Sequence, residues 1–281
     1  LMTVPGYPIL GISTVTMGGK IIKLPLLEKN HFLPDFDVLT EQERSQSKLL
    51  YINYPNNPTG AVATRDFYKR VIEFARENHL IVISDEAYAA FVFDGERPLS
   101  FLGVEGAKDV GIAIHSLSKS FNMTGWRLAF LAGNEAIVKA FAHIKYNNDA
   151  GQFAAIQKAG AFCLRNPEIT QKTLQKYSRR QEKLVKILNC AGFQVRKPKG
   201  SFFLYTKSPV GTKYGDVFRN AEDFSLYLIR KKLISTVPWD DTRPHVRFSV
   251  TFVANSIAEE DAVLAEIANR LPRGELIFDS S

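Results

Sequence analysis

Apolar and polar positions follow a strand and helix order through the first half of the chain. Residues 48–54 and 80–83 are short apolar runs of the length and residue types of buried strands. Between them, residues 64–78 repeat apolar side chains at the spacing of one helix face, and Thr64 stands in the N-cap position. Two further strands and one further helix follow at residues 110–114, 128–132 and 135–146. This order predicts a mainly parallel sheet with helices on its faces.

Shorter patterns precede this sheet. The opening Val4-Pro5-Gly6-Tyr7-Pro8 is a turn-rich loop, because Pro and Gly interrupt regular structure. Residues 20–24 are a short strand candidate. Residues 34–39 are expected to begin a helix, with Asp35 or Asp37 as its cap.

The second half of the chain has a different order of elements. A long helical pattern runs over residues 152–189 and is broken at Asn166-Pro167. The elements predicted after it are strands at 193–196, 201–206, 233–236 and 246–250, and helices at 221–231 and 257–270. The sequence therefore predicts a large α/β domain over residues 1–155, followed over residues 156–281 by an inter-domain helix and a smaller α+β domain.

Polar side chains follow three of the predicted strands of the large domain. Asn57, Asp85 and Ser116 each come after an apolar run. Ligands of parallel sheets collect beyond the carboxyl ends of the strands, because loops and helix N-termini converge there. We therefore expect these three polar groups to share one crevice.

The segment from Ser116 to Arg127 combines an amine with an anion site. It carries the hydroxyls of Ser116 and Ser118, the Lys119 amine and the Arg127 guanidinium within twelve residues. A lysine held near fixed donors and a second cation can lose its proton near neutral pH and attack a carbonyl. The segment therefore fits an aldehyde cofactor that carries a phosphate. The alternative is a basic, solvated loop after a strand.

Three further residues have chemistry that suits the same crevice. Asp85 ends an apolar strand, so its carboxylate needs a cationic partner such as a protonated pyridine nitrogen, although it can also act as a cap. Tyr88 can point its hydroxyl into the same space or pack as an amphipathic ring. Asn57 lies in the turn Asn57-Pro58-Thr59-Gly60, and spacing alone leaves open whether it contacts a ligand.

Arg247 is a charged residue within the apolar strand candidate at residues 246–250. A buried arginine requires an anion, and the guanidinium fork fits a carboxylate with two hydrogen bonds. The alternative is an alternating strand in which Arg247 faces water.

Composition narrows the function classes without choosing one. The 281 residues carry a formal net charge of +7, but Lys and Arg are spread beside Glu and Asp, so nucleic-acid binding is unsupported. An apolar run long enough to span a membrane, about 18 residues, is absent from the sequence. Cys163 and Cys190 have no metal-ligand spacing and are expected to be reduced packing residues. We therefore expect a cytoplasmic protein with no metal site and no membrane partner.

Four motifs, taken in chain order, resemble one known family. They are Asn57-Pro58-Thr59-Gly60, Ser84-Asp85-Glu86-Ala87-Tyr88, Ser116-Leu117-Ser118-Lys119 with Gly125-Trp126-Arg127, and Val246-Arg247-Phe248-Ser249. Their order, spacing and composition resemble the fold-type-I pyridoxal-phosphate enzymes of the class I/II aminotransferase family over nearly the whole chain. The resemblance implies the large and small domains of that fold, pyridoxal 5′-phosphate as cofactor, and transfer of an amino group between an amino acid and a 2-oxo acid.

The resemblance also implies roles at the cofactor ring. Lys119 would form the covalent link to the cofactor aldehyde and then move the proton between the substrate Cα and the cofactor C4′. Asp85 would pair with the pyridine nitrogen, and Asn57 and Tyr88 would hydrogen-bond the 3′ oxygen. Tyr7 would stack on the ring.

The remaining roles concern anionic groups. Ser116, Ser118 and Arg127 would hold the cofactor phosphate. Arg247, together with Asn57, would bind the substrate, and the Arg247 guanidinium would clamp its α-carboxylate. These roles come from the family pattern and apply only to the matching positions.

Members of the family carry a large N-terminal portion ahead of the Tyr7 loop, and by this comparison the chain lacks it. That portion includes a small-residue phosphate loop and a tyrosine that reaches the cofactor of the neighbouring subunit. We therefore expect the chain to hold the cofactor weakly or not at all. Homodimerisation is expected from the family alone.

Substrate and reaction type stay open at this point. Segments 200–205 and 233–241 resemble a bacterial branch of LL-diaminopimelate aminotransferases, but aspartate, aromatic and broad-specificity aminotransferases share the same frame. One alternative is β-elimination on the same cofactor, as in a C–S lyase. Another is a catalytically incomplete chain that acts only as a folded oligomerising module. A dinucleotide-binding protein is disfavoured because no Gly-x-Gly-x-x-Gly follows a strand.

Overall fold

The computed structural model describes residues 1–149, 151–271 and 273–279. The chain forms two compact units. Unit 1 comprises Leu1–Asn57, Ala61–Leu174 and Lys199–Ser201, and unit 2 comprises Pro58–Gly60, Gln175–Pro198 and Phe202–Ser281. The domain boundary expected at residue 155 stays a prediction.

The described residues of unit 1 contain a six-stranded sheet. Its strands are β1 (Met2–Val4), β2 (Lys23–Pro25), β3 (Leu49–Asn53), β4 (Ile81–Asp85), β5 (Gly111–Ser116) and β6 (Ala129–Gly133). Their spatial order is β2-β1-β3-β4-β5-β6. All neighbouring pairs are parallel except β5 with β6, which is antiparallel. The predicted mainly parallel sheet is therefore confirmed.

Along the chain, helices alternate with the strands of this sheet and follow its last strand. They are α1 (Ile9–Thr16), α2 (Glu41–Gln46), α3 (Arg65–Glu77), α4 (Ala107–Val110), α5 (Leu117–Ser120), α6 (Glu135–Asn148) and α7 (Ala154–Arg165), with α8 (Ile169–Cys190) passing from unit 1 into unit 2. The α3 helix begins as predicted, because the Thr64 hydroxyl accepts a hydrogen bond from the Phe67 amide at 3.1 Å. Its apolar face, with Phe67 and Val71, is buried in one core with Leu50 of β3 and Val82 of β4. The break predicted between α7 and α8 is also confirmed.

The prediction that a helix begins within residues 34–39 is wrong. Asp35 instead accepts a hydrogen bond from the Asp37 amide at 3.0 Å, which closes a local turn. The helix begins six residues after Asp35 with a capping box, in which the Thr40 side chain accepts from the Glu43 amide and Glu43 accepts from the Thr40 amide. Two backbone donors are satisfied by this reciprocal pair, whereas either aspartate would satisfy one.

Unit 2 combines helices with short antiparallel ladders. Besides most of α8, its described elements are β7 (Phe203–Lys207), β8 (Gly211–Thr212), α9 (Ala221–Tyr227), β9 (Val237–Trp239), β10 (His245–Ser249), α10 (Ile257–Arg270) and β11 (Leu276–Ile277). The sheet order is β7-β10-β9, and β8 pairs with β11. Both pairs around β10 are antiparallel.

Two of the strand predictions for unit 2 are wrong. Residues 193–196 form no strand, because the Asn189 side chain takes both backbone groups of Val195, accepting from its amide at 2.9 Å and donating to its carbonyl at 3.0 Å. Residues 233–236 form no strand either. A π-helical turn extends α9 to Lys232, Leu233 adopts a left-handed φ of 54°, and the strand begins only at Val237.

A buried ion cluster stabilises the segment that follows β10. Arg180, which is 1% exposed, donates to the carbonyls of Val250 at 2.9 Å and Phe252 at 2.6 Å, and its Nε lies 3.1 Å from Glu260. Burial raises the pKa of Glu260, but the hydrogen bond from Arg179 and the charge of Arg180 outweigh it, so the net pKa lies below its usual value. Removing one member would leave a buried charge without its partner.

The two cysteines are both free thiols. Cys163 is half-buried, with its sulfur 3.8 Å from that of Met123, as a packing residue should be. Cys190 is exposed at the end of α8, so the expectation that it packs is wrong. Across the described ranges, none of the helices has the length and apolar character needed to cross a bilayer.

Candidate active site

The ends of neighbouring strands bring sequence-distant residues to one edge of the unit 1 sheet. Asn53 of β3 pairs with Asp85 of β4, and Asp85 pairs with Ile114 of β5. These three strands are parallel, so their carboxyl ends lie at the same edge. Asp85 ends β4, Ser116 ends β5, and Asn57 follows β3 by four residues. Asn57, Asp85 and Ser116 therefore lie at or just beyond the same edge of the sheet, whereas a crevice shared by all three stays a prediction.

Lys119 lies on a short helical turn that is packed at its base. The Ser116 hydroxyl caps this turn by accepting from the Ser118 amide at 3.2 Å. Leu117 is buried with Met123 and Leu128. The α7 helix approaches closely here, since a Cβ on Gly160 would lie 2.4 Å from the Leu128 side chain.

The loop after Lys119 is held by its own polar groups. The Thr124 hydroxyl donates to the Ser118 carbonyl at 2.9 Å. Arg127 has a left-handed φ of 53° and an exposed side chain, and its guanidinium donates one hydrogen bond, 2.9 Å long, to the Thr124 carbonyl. A guanidinium has five N–H donors, so this bond leaves capacity for an oxyanion. The hydroxyls of Ser116 and Ser118 and the Arg127 guanidinium are thus carried by one loop and turn.

Asp85 is a carboxylate in a setting that favours a cationic partner. Burial raises the pKa of Asp85, the hydrogen bond from the Ala87 amide at 3.1 Å lowers it, the Glu86 charge raises it, and His115 lowers it, with a net upward shift. A net upward shift means that the surroundings stabilise the charged form less well than water does. A protonated ring nitrogen beside Asp85 would reverse that shift.

The two tyrosines differ in exposure. Tyr88 is buried, and its carbonyl accepts from the Phe91 amide at 2.8 Å. Tyr7 is about half exposed and follows β1, whose carboxyl end lies at the same edge as those of β3 and β4 because β1 is parallel to β3. Both residues are therefore in unit 1 with Lys119 and Asp85.

Arg247 belongs to unit 2 and is described within that unit. It lies in β10 opposite Tyr205 of β7 and Val237 of β9. Its side chain is half-buried, and its guanidinium carbon lies 3.9 Å from the centre of the buried Phe203 ring. This cation–π contact orients the fork and partly excludes water, in contrast to the alternative in which Arg247 simply faces solvent.

A buried acid that directly follows Asp85 was not predicted from the sequence. Glu86 is 1% exposed, and one of its oxygens accepts from the Ser84 hydroxyl at 3.0 Å and from the Phe101 amide at 2.8 Å. Its other oxygen lies 3.5 Å from His115 Nε2. The sequence feature that could have indicated Glu86 is a second carboxylate directly after an apolar strand. Asn53, whose side chain contacts the backbones of both Asn57 and Asp85, was also missed.

The side chains at this edge fit one kind of cofactor. They supply an amine at Lys119, a carboxylate at Asp85 with a raised pKa, and hydroxyls with a guanidinium on the same loop. An aldehyde would react with the amine, a basic ring nitrogen would suit the carboxylate, and a phosphate would suit the donors. Pyridoxal phosphate has all three groups. Within the described ranges, acidic, His and Cys side chains form no cluster of three or more suited to a metal ion.

Comparison with known proteins gives a consistent result. The sequence profile of the family described as aminotransferase class I and II matches residues 1–266. The LL-diaminopimelate aminotransferase of Methanococcus maripaludis is 57% identical over 284 residues, which cover 99% of this chain and 68% of that protein. The enzyme of the same name from Halothermothrix orenii is 38% identical over 275 residues, covering 98% of this chain and 68% of that protein.

Solved structures agree with the sequence comparisons. The substrate-bound structure of BacF from Bacillus subtilis superposes with a TM-score of 0.89 at 34% identity, covering 99% of this chain and 69% of BacF. An aminotransferase from Staphylococcus aureus gives a TM-score of 0.83 at 29% identity, covering 95% of this chain and 70% of that one. The chain thus belongs to the aminotransferase class I and II family, and it is a pyridoxal-phosphate-dependent aminotransferase that acts on an amino acid and a 2-oxo acid.

Proposed function

We propose that the amino donor is LL-2,6-diaminopimelate and that Lys119, Asp85 and Arg247 carry the reaction. The choice of donor is supported by the 57% identity over 99% of this chain to a protein named LL-diaminopimelate aminotransferase. A second protein of that name, from Methanocaldococcus jannaschii, is 56% identical over 287 residues. Fold and cofactor do not determine the side-chain pocket, so the donor is tested separately from the reaction.

Pyridoxal phosphate, when bound, supplies an electron sink that stabilises negative charge at the substrate Cα. Lys119 would provide the amine that holds the cofactor. When not attached to the cofactor, this amine would be the base that takes the proton from the substrate Cα and the acid that returns it on the cofactor side. The turn that carries Lys119 is anchored by Leu117, which is buried with Met123 and Leu128.

Asp85 would hold a proton on the ring nitrogen by charge pairing, which would keep the ring electron-withdrawing. Asn57 and Tyr88 would donate to the ring hydroxyl oxygen, and Tyr7 would cover the ring. The raised pKa of Asp85, caused chiefly by burial, supports this pairing because a cation there would be stabilised by a poorly solvated carboxylate.

Two sites for anions complete the proposal. Ser116, Ser118 and Arg127 hold the cofactor phosphate with two hydroxyls and one guanidinium. Arg247 holds the substrate α-carboxylate with its fork, which the Phe203 ring orients.

We further propose a cytoplasmic homodimer. The 14-residue helix α6 has no buried residue, and it exposes Phe141, Ile144 and Tyr146. Exposed apolar side chains of this kind support association with a second copy. The two free cysteines support a reducing compartment. Sedimentation equilibrium that returned the mass of one chain would contradict the dimer, and recovery of the protein outside the cytoplasm on cell fractionation would contradict the compartment.

The substrate proposal predicts a strong preference among amino donors. With 2-oxoglutarate as acceptor, kcat/KM for LL-diaminopimelate is expected to exceed that for aspartate or tyrosine by about a hundredfold, since a site with paired polar groups rejects donors that leave them unpaired. Formation of glutamate is measured by chromatography. A higher kcat/KM for aspartate or tyrosine would reject the donor, and release of ammonia without any acceptor would indicate elimination instead.

Asp85→Asn is expected to have opposite effects on cofactor binding and on stability. The pKa of Asp85 is higher in the folded chain than in the unfolded chain. At pH values above both pKa values, the ionised carboxylate therefore destabilises the cofactor-free fold. Asparagine removes that cost, and the cofactor-free variant should unfold at a higher temperature than the native chain at pH 7. Its affinity for pyridoxal phosphate should fall by about tenfold or more, because one charge pair is lost.

The matched control for this experiment is Asp37→Asn, at a carboxylate that is 97% exposed. It should change neither property. Calorimetry of the cofactor-free protein and equilibrium dialysis with pyridoxal phosphate measure the two effects. Loss of stability in cofactor-free Asp85→Asn at pH 7, or unchanged cofactor affinity, would contradict the role proposed for Asp85.

A further inference from the structure

One buried amide connects the two residues that are proposed to recognise the cofactor ring. Asn53 is the last residue of β3 and is 7% exposed. Its Nδ2 donates to the Asp85 carbonyl at 2.9 Å, and its Oδ1 accepts from the Asn57 amide at 2.9 Å. A carbonyl only accepts and an amide N–H only donates, so these partners determine the orientation of the Asn53 amide.

The connection lies where the regular strand pairing ends. Asn53 pairs with Asp85 in the register of β3 and β4, and the Tyr54 amide makes one more bond to the Asp85 carbonyl at 3.2 Å. Beyond it the chain leaves the sheet, and the Asn56 amide donates to the Ala61 carbonyl at 2.8 Å, which closes the turn. The Asn53 side chain therefore donates to the same Asp85 carbonyl as this last backbone bond and joins it to the Asn57 backbone.

We propose that Asn53 is a positioning residue, which holds Asn57 and Asp85 at a fixed separation so that both contact the pyridoxal phosphate ring together. The inference rests on the proposed roles of those two residues. Asn53 acts through their backbones and does not contact the cofactor.

The chemistry of this position favours asparagine over other side chains. The site needs one donor and one acceptor at the end of a short side chain. Aspartate keeps the acceptor for the Asn57 amide but sets a carboxylate oxygen against the Asp85 carbonyl, and leucine of similar size keeps neither bond. Glutamine is one methylene longer, and in a closely packed buried site the added methylene would displace neighbouring atoms.

Two substitutions test the proposal, Asn53→Leu and Asn53→Asp. Each is expected to raise the dissociation constant of pyridoxal phosphate about tenfold, the equivalent of one to two lost hydrogen bonds. Equilibrium dialysis gives the dissociation constant, and the pH midpoint of the cofactor's visible absorbance should shift in the same variants, because the separation from Asp85 has changed. If Asn53→Leu does not fold, Asn53→Asp, which is nearly isosteric, carries the test.

A double-mutant cycle separates positioning from a general structural role. Asn53→Leu combined with Asn57→Ala should bind the cofactor more weakly than Asn57→Ala alone, but by a smaller factor than Asn53→Leu costs in the native chain, since Asn53 acts partly through Asn57 and partly through Asp85. Effects that multiply in the double variant would overturn the proposal.

Unit 2 offers a matched control in Asn189, whose amide also bridges backbone groups, those of Val195, at 2.9 and 3.0 Å. Asn189→Leu should lower thermal stability as Asn53→Leu does but leave the dissociation constant within about twofold. If Asn53→Leu behaves like this control, Asn53 is only structural. If Asn57→Ala and Asp85→Asn themselves bind the cofactor as tightly as the native chain, the ring roles fail together with the inference. If those two variants weaken binding while the Asn53 variants do not, the positioning role alone fails.

Discussion

Lys119→Ala is expected to remove covalent capture of pyridoxal phosphate and to lower kcat for amino transfer by about 10⁴-fold. The variant loses the amine that links the cofactor and the group that moves the Cα proton, and proton transfer by a positioned side chain is worth up to about 10⁴. Borohydride reduction followed by mass spectrometry detects the covalent link, and amino transfer to a 2-oxo acid gives kcat. With pyridoxal phosphate in excess, the native chain should show the reduced adduct on Lys119, and a full adduct would reject the expectation that the chain holds the cofactor weakly or not at all.

The control for this variant is Lys139→Ala in α6, whose side chain is 75% exposed and pairs with Glu135. It should keep both the adduct and the rate. A borohydride adduct that persists in Lys119→Ala on another lysine, with kcat near the native value, would show that the covalent link lies elsewhere. Circular dichroism should match the native chain, since Leu117 anchors the turn by its burial with Met123 and Leu128.

Arg247→Ala is expected to lower kcat/KM for the amino donor by 10²- to 10³-fold, chiefly through KM. The loss of a bidentate, charge-assisted contact to the substrate carboxylate is worth about 3 to 4 kcal/mol in a partly buried site. Arg247→Lys should recover part of the affinity, because it keeps the charge but loses the fork. Steady-state kinetics over a range of donor concentrations separates KM from kcat.

Arg243→Ala, two positions ahead of β10 and exposed, is the matched control and should leave KM unchanged. The dissociation constant of pyridoxal phosphate should also stay at its native value in Arg247→Ala, because this side chain is proposed to contact substrate and not cofactor. A native KM in Arg247→Ala would reject the carboxylate role. A change confined to cofactor affinity would reassign the residue.

Local signals predicted much of unit 1 because burial there follows simple periodicity. The Thr64 cap and the apolar face of α3 need only the spacing of their own segment, and β4 needs only an unbroken apolar run. Asp85 and Ser116 were predicted as neighbours because parallel strands share a carboxyl edge. The roles of these residues came from the family motifs, since no spacing rule assigns a ring nitrogen to a carboxylate.

Local signals failed where the side chain of a nearby residue satisfied a backbone group. Residues 193–196 look like a strand, but the Asn189 amide satisfies both backbone groups of Val195 and leaves nothing for a ladder. The helix expected near Asp35 lost to the capping box of Thr40 and Glu43, which satisfies two donors instead of one. In both places two plausible local structures competed, and hydrogen-bond satisfaction decided between them.

The sequence alone determined the strands and the long helices of residues 48–146, the α/β class and the four motifs that name the family. Only the tertiary structure decided that Asn53 ties Asn57 to Asp85, that Glu86 is buried beside His115, and that the Phe203 ring lies under Arg247. The physical reason is that hydrophobic periodicity and turn chemistry are local, whereas the surroundings of a buried polar group depend on strand register and on distant segments. The raised pKa of Asp85 is the clearest example, because it arises from burial under parts of the chain that its own segment does not contain.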